Sequence, residues 1–542
     1  MIYNMKKIFI ISIYFSLLFC SCNDWLDEKP ESILTKKDFN RTEQHFGGQV
    51  NILYRSGFIH QYSNANSAYM GPFGTITSML TGYFRNSYEG QEQVCKFARE
   101  LTRQAETNTV SGVMDGVWDD CYRSINIANS VINNINDEDV QISSSMKVRY
   151  EAEAKFFRAM NYYMLVKVFG DVPLTTEAYY SASQQMQLAR TSKSKVLEQI
   201  ELDLIDAVNK LPVATWQGSS HRITKYVAEM GLTDVYMYTK NYQKALISAK
   251  DIINSGLYSL TENDDRGLNS AYNKLRTTDD LPEIIYAQEF DNSISTSNWW
   301  PTYAFTSSAT GVFNRYSIYE RVFGPIGMYL NIYTVDDLRG QEKQFFATSY
   351  INPVNGKEWI MPVGNHVLPS NPSYFDQIGC WYFFDENANL TTGRGTKDWN
   401  IYRYAETLLD AAEAIAQTHG VTSEAANYLA LVKSRAIGGS VSAVSTSLLT
   451  MSKQEFIEAC WTERLREFPL EMKIWDDCVR TGKFPVISNT LRSGEVHYVD
   501  LIGAKNGAGA IIKQSDLLWP ISLNEMQRNK HLKQNEGYQS FQ

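Results

Sequence analysis

Residues 226–254, YVAEMGLTDVYMYTKNYQKALISAKDIIN, decide the fold of this chain. Leu232, Tyr236, Tyr242 and Ala245 sit at the relative positions of a tetratricopeptide pattern, with Asn241 where the turn between two helices belongs. The small residues let two helices approach closely, and the tyrosines fill the gap to the next pair. A second unit runs from Tyr404 through Ala405, Leu408, Leu409 and Ala412 to Ala426, Leu429 and Val432. Upstream, Trp118, Tyr122, Ile125, Ala128, Val131 and Ile132 recur at three- and four-residue steps. After a polar break at 136–145, the run Ala152, Phe156, Phe157, Ala159, Tyr163 and Val166 keeps the helical period. It ends at Phe169-Gly170-Asp171-Val172-Pro173, a glycine stop with a proline just beyond. The repeats are few and separated by long insertions. We therefore expect a mainly α fold: an irregular tetratricopeptide-like helical scaffold carrying a large loop-rich insert.

Between 261 and 400 helical periodicity fades, Gly, Pro, Asn, Ser and Thr accumulate, and aromatics stand in polar surroundings. The expected organisation is a signal peptide at 1–21, a leader at 22–40, a helical region at 41–260, the insert at 261–400 and a second helical region at 401–542. Loops on a rigid scaffold are where function tends to live, so the insert is the expected ligand region.

Composition narrows the function classes. Of 542 residues, 44% are hydrophobic and 20% charged, which suits a packed globular protein and not a disordered chain. A chain of this size buries about three-quarters of its unfolded surface, so it needs neither disulfides nor metals for stability. The net charge is −9, and loss of a signal peptide holding Lys6 and Lys7 moves it from −9 to −11. With no basic stripe either, nucleic acid is excluded as the expected partner.

The address lies at the start. Lys6 and Lys7 precede an apolar stretch from Ile8 to Cys20, too short to span a bilayer but suited to a signal-peptide core. Ser21-Cys22 resembles a bacterial lipobox, which makes Cys22 the expected site of lipidation. Several acyl chains together anchor a protein firmly. Of seven cysteines, Cys20 and Cys22 belong to this segment; the five others have neither close spacing nor a CxxC pair.

No catalytic signature is found. None of the seven histidines forms HExxH, no GxSxG elbow occurs, and Gly356-Lys357 and Gly482-Lys483 lack the rest of a phosphate loop. A glycosidase needs only two carboxylates. The available pair, Glu463 and Glu467, flanks Arg464 and Arg466 and reads as buried ion pairing. We expect no enzyme, no cofactor and no metal centre; without EF-hand spacing, a structural calcium cannot be assigned.

Four segments in order carry a family resemblance. They are Cys22-Asn23-Asp24-Trp25-Leu26-Asp27; the stretch from Glu153-Ala154-Lys155-Phe156-Phe157-Arg158-Ala159 to Phe169-Gly170-Asp171-Val172-Pro173-Leu174; Arg403-Tyr404-Ala405-Glu406 with Leu408-Leu409; and Leu517-Leu518-Trp519-Pro520-Ile521 with Asn535-Glu536-Gly537-Tyr538. Together the chain resembles SusD-like (RagB/SusD) lipoproteins from Cys22 to Tyr538. Phe468-Pro469-Leu470 and the extra Trp519 depart from the family pattern. The resemblance implies an outer-membrane, surface-exposed, lipid-anchored protein of a Gram-negative, Bacteroidetes-like cell. It implies glycan capture without catalysis, in nutrient uptake with a SusC-like TonB-dependent transporter. The alternative is a transporter lid whose cargo is a non-carbohydrate nutrient such as peptide. Which glycan or linkage is bound is left open.

Site residues follow from physics. Aromatic rings bury the apolar faces of a sugar, while amides and carboxylates bond its hydroxyls. Trp299 and Trp300, adjacent in a Ser/Asn/Thr loop before Pro301, read as poor core material and are the first choice, with Tyr303 as a third ring. Tyr83, Phe84, Asn86 and Tyr88 form a second loop, and Trp359 and Trp381 rank third.

Overall fold

A computed structural model of the chain describes residues 40–63, 70–180, 187–291, 298–313, 320–391 and 393–539. The signal segment, Cys22 and nearly all of the leader lie outside these residues.

The helices begin where side chains can cap them. Thr42 opens α1 (Glu43–Leu53), and Ser143 opens the long α3 (Ser144–Phe169), which follows α2 (Thr107–Asn134). Beyond them come α4 (Lys193–Lys210), α5 (Lys225–Tyr238) capped by Thr224, and α6 (Tyr242–Asn254) capped by Asn241. In each capped helix the side-chain oxygen accepts from a first-turn N–H that has no partner within the helix. Gly170 ends α3 at φ +75, and a Cβ there would stand 2.9 Å from Leu518 Cδ1. Both demands select glycine. α3 is buried almost all round, because α2, α4 and α1 each cover part of it. Its charges are answered inside: Arg158 pairs with Asp203 at 2.7 Å, and Glu153 with Arg222.

The expected second unit is α7 (Tyr404–His419) with α8 (Ser423–Ile437), followed by α9 (Lys453–Glu467) and α10 (Ile474–Thr481). α6 packs directly on α7, so the helical stack runs on across the 149 residues between them. The strands are short: β1 (Phe84–Arg85), β2 (Ile284–Gln288), β3 (Gly324–Pro325), β4 (Ser349–Ile351), β5 (Glu358–Ile360), β6 (Trp399–Arg403), β7 (Lys483–Ile487) and β8 (Val496–Asp500). They form four antiparallel pairs, β1–β3, β2–β6, β4–β5 and β7–β8. The β2–β6 pair ties the end of the loop-rich region back to a strand inside its first part. Among the described residues no helix is long and apolar enough to cross a membrane.

The end of α9 is charged and buried. Glu467 accepts from Arg435 at 2.6 Å, Arg339 at 3.0 Å and Arg403 at 3.2 Å. Arg435 and Arg403 also hold Glu283, and Arg339 holds Asp337 and Glu463. The expected ion pairing is present, but the closest partners come from outside α9: Glu463 pairs with Arg339 at 2.8 Å and only more distantly, at 3.7 Å, with Arg466 of its own helix, and not with Arg464. Arg464 instead reaches Glu406, Asp410 and Asp477. Insert and scaffold are joined through these charges.

Cys95, Cys121, Cys380, Cys460 and Cys478 are all free and buried, and burial pushes each thiol up. The thiolate is the reactive form. These five therefore stay unreactive toward a thiol reagent in the native protein and react in denaturant. Fast labelling of two or more in the native state would contradict this packing.

Candidate functional site

The loop of first choice is held at one point. Asn298 and Gly395 exchange backbone hydrogen bonds at 2.8 and 3.1 Å, and the Asn298 side chain donates to Lys397 O at 2.6 Å. Asn298 Oδ1 then accepts from Trp300 N, and Pro301 starts the 3-10 turn Trp300–Tyr303. This fixes the backbone that carries the two tryptophans.

Trp300 turns inward. It is 4% exposed and stacked against Phe383 at 4.4 Å and Trp399 at 4.6 Å, with Tyr303 edge-on at 6.0 Å. The expectation that adjacent tryptophans in a polar loop make poor core is corrected here: surrounding aromatics supply a core the polar loop sequence does not announce. Trp299 is half-buried, with the Arg394 guanidinium against its ring. Such a stack holds an amphipathic ring at the surface.

Next to this turn lies a cavity of about 40 Å³, lined by Arg276, Trp300, Pro301, Phe383, Asp398 and Trp399 among others. That is room for about three waters. Burial, together with the repulsion of Asp279 and Glu289, pushes the Asp398 carboxyl up to about 7. It is poised to donate or accept a hydrogen bond near neutral pH.

The second loop is mostly interior. Tyr83 stacks on Phe484 and donates to Pro485 O at 2.7 Å. Phe84 stacks on Phe323 at 4.6 Å. Asn86 is buried and accepts from Tyr88 N, shaping the turn. Tyr88 is half-buried, its hydroxyl donating to Gln91 at 2.6 Å. Gly82 lets the C-terminal loop close over this segment; a Cβ there would stand 2.4 Å from Ala508 N.

The third set is structural in its contacts. Trp359 donates to Ser308 Oγ and packs edge-on to Phe305, while Trp381 donates to Asn273 and stacks on Phe384. Of the nine selected residues, the structure thus leaves only the Trp299 and Tyr88 side chains partly open to solvent. It brings Trp299, Trp300 and Tyr303 into one turn, packs the Trp381–Phe383 turn against it and Trp359 on Phe305 just beyond it, and seats Tyr83 and Phe84 against Phe484 and Phe323.

Two features escaped the sequence reading. Arg394 meets Trp299 across 95 residues of chain, and no local pattern announces such a contact. Tyr374-Phe375, a half-buried aromatic pair in a Pro/Ser/Asn loop, satisfies the rule that selected Trp299 and Trp300 and was open to the same argument. Among the described residues no three His, Cys, Asp or Glu side chains converge as metal ligands do.

Comparison with known proteins places this architecture. A family described as "SusD family" matches residues 328–538, and one described as "Starch-binding associating with outer membrane" matches residues 24–237. Trp299, Trp300 and Tyr303 fall between the two matched stretches. SusD-like protein P2 of Formosa agariphila is 27% identical over 487 residues, covering 88% of this chain and 91% of that protein. A SusD superfamily protein from Parabacteroides distasonis superposes with a TM-score of 0.72 at 24% identity, over 93% of this chain and 100% of that one. Surface glycan-binding protein A from Bacteroides thetaiotaomicron, solved in complex with laminarihexaose, gives a TM-score of 0.66 at 18% identity, over 92% of this chain and 100% of the other. Both structural likenesses are likenesses of fold.

Proposed function

The chain belongs to the SusD family, and from that premise we propose that it is a non-catalytic glycan-binding lipoprotein of the cell surface. In this reading Cys22 carries the lipid, the outer membrane holds the anchor, and a SusC-like TonB-dependent transporter takes up the captured oligosaccharide. The observation that carries the glycan reading is Trp299: a large ring, partly open, on a turn clamped to the segment at Gly395. A preorganised ring binds a sugar face with little ordering cost. The glycan-binding neighbour of the same fold supports the reading, as does the description of the N-terminal family match.

Micromolar to millimolar capture needs only about 4–8 kcal/mol, within reach of a few rings and hydrogen bonds. The test is retention of the mature chain by a panel of immobilised polysaccharides, with Trp299→Ala alongside. We expect one glycan to be retained and the variant to bind it at least about tenfold more weakly, or roughly 1.4 kcal/mol. Release of sugar by pure protein would overturn the non-catalytic reading. Retention by none of the panel, with capture of the transporter barrel intact, would favour the lid with a peptide or other cargo.

A further inference from the structure

Eight arginines of the described chain are buried. Seven of them have a carboxylate at ion-pair distance. Arg321 is the exception. It is fully buried, and its guanidinium donates only to main-chain carbonyls, Ile378 O at 2.5 Å and Asp376 O at 2.8 Å. Its side chain lies across Gly324, where a Cβ would stand 2.4 Å from the guanidinium Nε.

Gly324 is the cross-strand partner of Arg85 in the β1–β3 pair. Arg85 donates to the same Asp376 carbonyl at 3.3 Å, and it too has no ion pair among the described residues. Two guanidinium groups thus share one carbonyl. Arg85 Nε, Arg321 Nε and Ser87 Oγ are all shut off from solvent without a hydrogen-bond partner. Burial draws Arg321 down to about 10, and the like charge of Arg85 adds to the effect. The Asp376 carboxylate is engaged elsewhere, accepting from Gly327 N at 2.7 Å.

The adjoining surface is aromatic. Tyr374 and Phe375, next in sequence to Asp376, are half-buried and meet edge-on at 5.1 Å. Arg492, also half-buried and with no ion pair among the described residues, lies 5.9 Å from the Phe375 ring. The segment is rigidly seated, because a Cβ on Gly327 would stand 1.8 Å from Pro372 O.

A buried cation without an ion pair is costly, and only the more distant charges of Asp376 and Glu320 act on Arg321. With the half-buried Arg85 beside it, in a protein of net charge −9, it marks a place where negative charge is favoured. Guanidinium forks match the planar oxygens of carboxylates and of oxyanion esters, and the rings offer an apolar face for the sugar that bears them. Resting on the glycan-binding reading above, we propose that the Tyr374–Phe375 surface, with Arg85, Arg321 and Arg492 beside it, binds an anionic substituent of a glycan. The substituent is a uronate carboxylate or a sulfate ester.

The test compares the full mature chain in detergent with an Arg85→Gln/Arg492→Gln double variant. Arg321 is left in place because its side chain fills the core. The probes are polygalacturonate for the carboxylate, carrageenan for the sulfate and laminarin as the neutral control, with binding measured by affinity electrophoresis. We expect one anionic probe to bind, to weaken at least tenfold in the double variant at unchanged melting temperature, and to weaken between about 50 and about 500 mM salt as the charges are screened. The probe that binds identifies the substituent. Binding of laminarin alone, equal in both proteins, would overturn the anionic class and leave the glycan reading standing. Anionic binding indifferent to the double substitution would also overturn the proposal. Binding of no polysaccharide would overturn both.

Discussion

Glu467→Gln lowers the unfolding free energy by about 3–5 kcal/mol, the range for removing one partner of a buried ion pair. The side chain is fully buried and holds Arg339, Arg403 and Arg435 within 3.2 Å. Glutamine keeps the shape and loses the charge, so Arg339, Arg403 and Arg435 each lose one carboxylate partner and keep Asp337 and Glu463, Glu283 and Glu471 (bonded to Arg403 at 2.7 Å), and Glu283 respectively. Denaturant titration of the pure protein reads the change. As a control, Lys483→Met at the exposed Lys483–Asp500 pair should move stability by no more than about 1 kcal/mol. A shift below that for Glu467→Gln would mean that water reaches the network.

The same network shapes the response to acid. Arg435 and Arg403 hold the Glu283 carboxyl at about 2, although burial alone would raise it. A glutamate free in the unfolded chain titrates near about 4.3. The folded form is thus the weaker proton binder. Glu283 contributes its full stabilisation above roughly pH 4.3 and loses it as pH falls toward 2.

Trp300→Ala costs about 3–5 kcal/mol of stability, because it empties a stack closed on two sides by Phe383 and Trp399. Trp299→Ala, at a half-buried position, costs about 1 kcal/mol or less, near the middle of the range for substitutions. Melting curves of the two single variants read the difference, and equal losses would mean that Trp299 is also core. The contrast matters for any binding assay. A double replacement would confuse loss of the site with loss of the fold, so the binding experiment needs Trp299 alone.

The helical scaffold was legible because its signals are local. The Leu232–Ala245 spacing, the Asn241 turn and the Gly170 stop each depend on neighbours within a few residues, and each corresponds to an observed helix boundary or packing face. The site was less legible because it is assembled across the chain. Trp299 and Trp300 are indistinguishable as text; Phe383 and Trp399, about 80 and 100 residues away, decide which one is buried. Glu463 and Glu467 were recognisable as ion-pairing residues, but Arg339, Arg403 and Arg435 could not be matched to them by spacing. Tyr374-Phe375 shows the other kind of miss, since the local rule applied there and Trp pairs drew it elsewhere.

The direct stacking of α6 on α7 has an evolutionary corollary. Because β2, separated from α6 by 29 residues, pairs with β6 at the far end of the intervening region, that region is attached like a cassette, and its length can change without disturbing the helices beneath. Exchange is not unrestricted, however. The cassette brings Glu283, Asp337 and Arg339, while α9 and the segment after it bring Glu463, Glu467 and Glu471. A transplanted cassette lacking Arg339 would strand carboxylates in the interior of its host. The charge count at this seam therefore acts as a compatibility code, deciding which inserted regions a given scaffold accepts while leaving their exposed rim open to change.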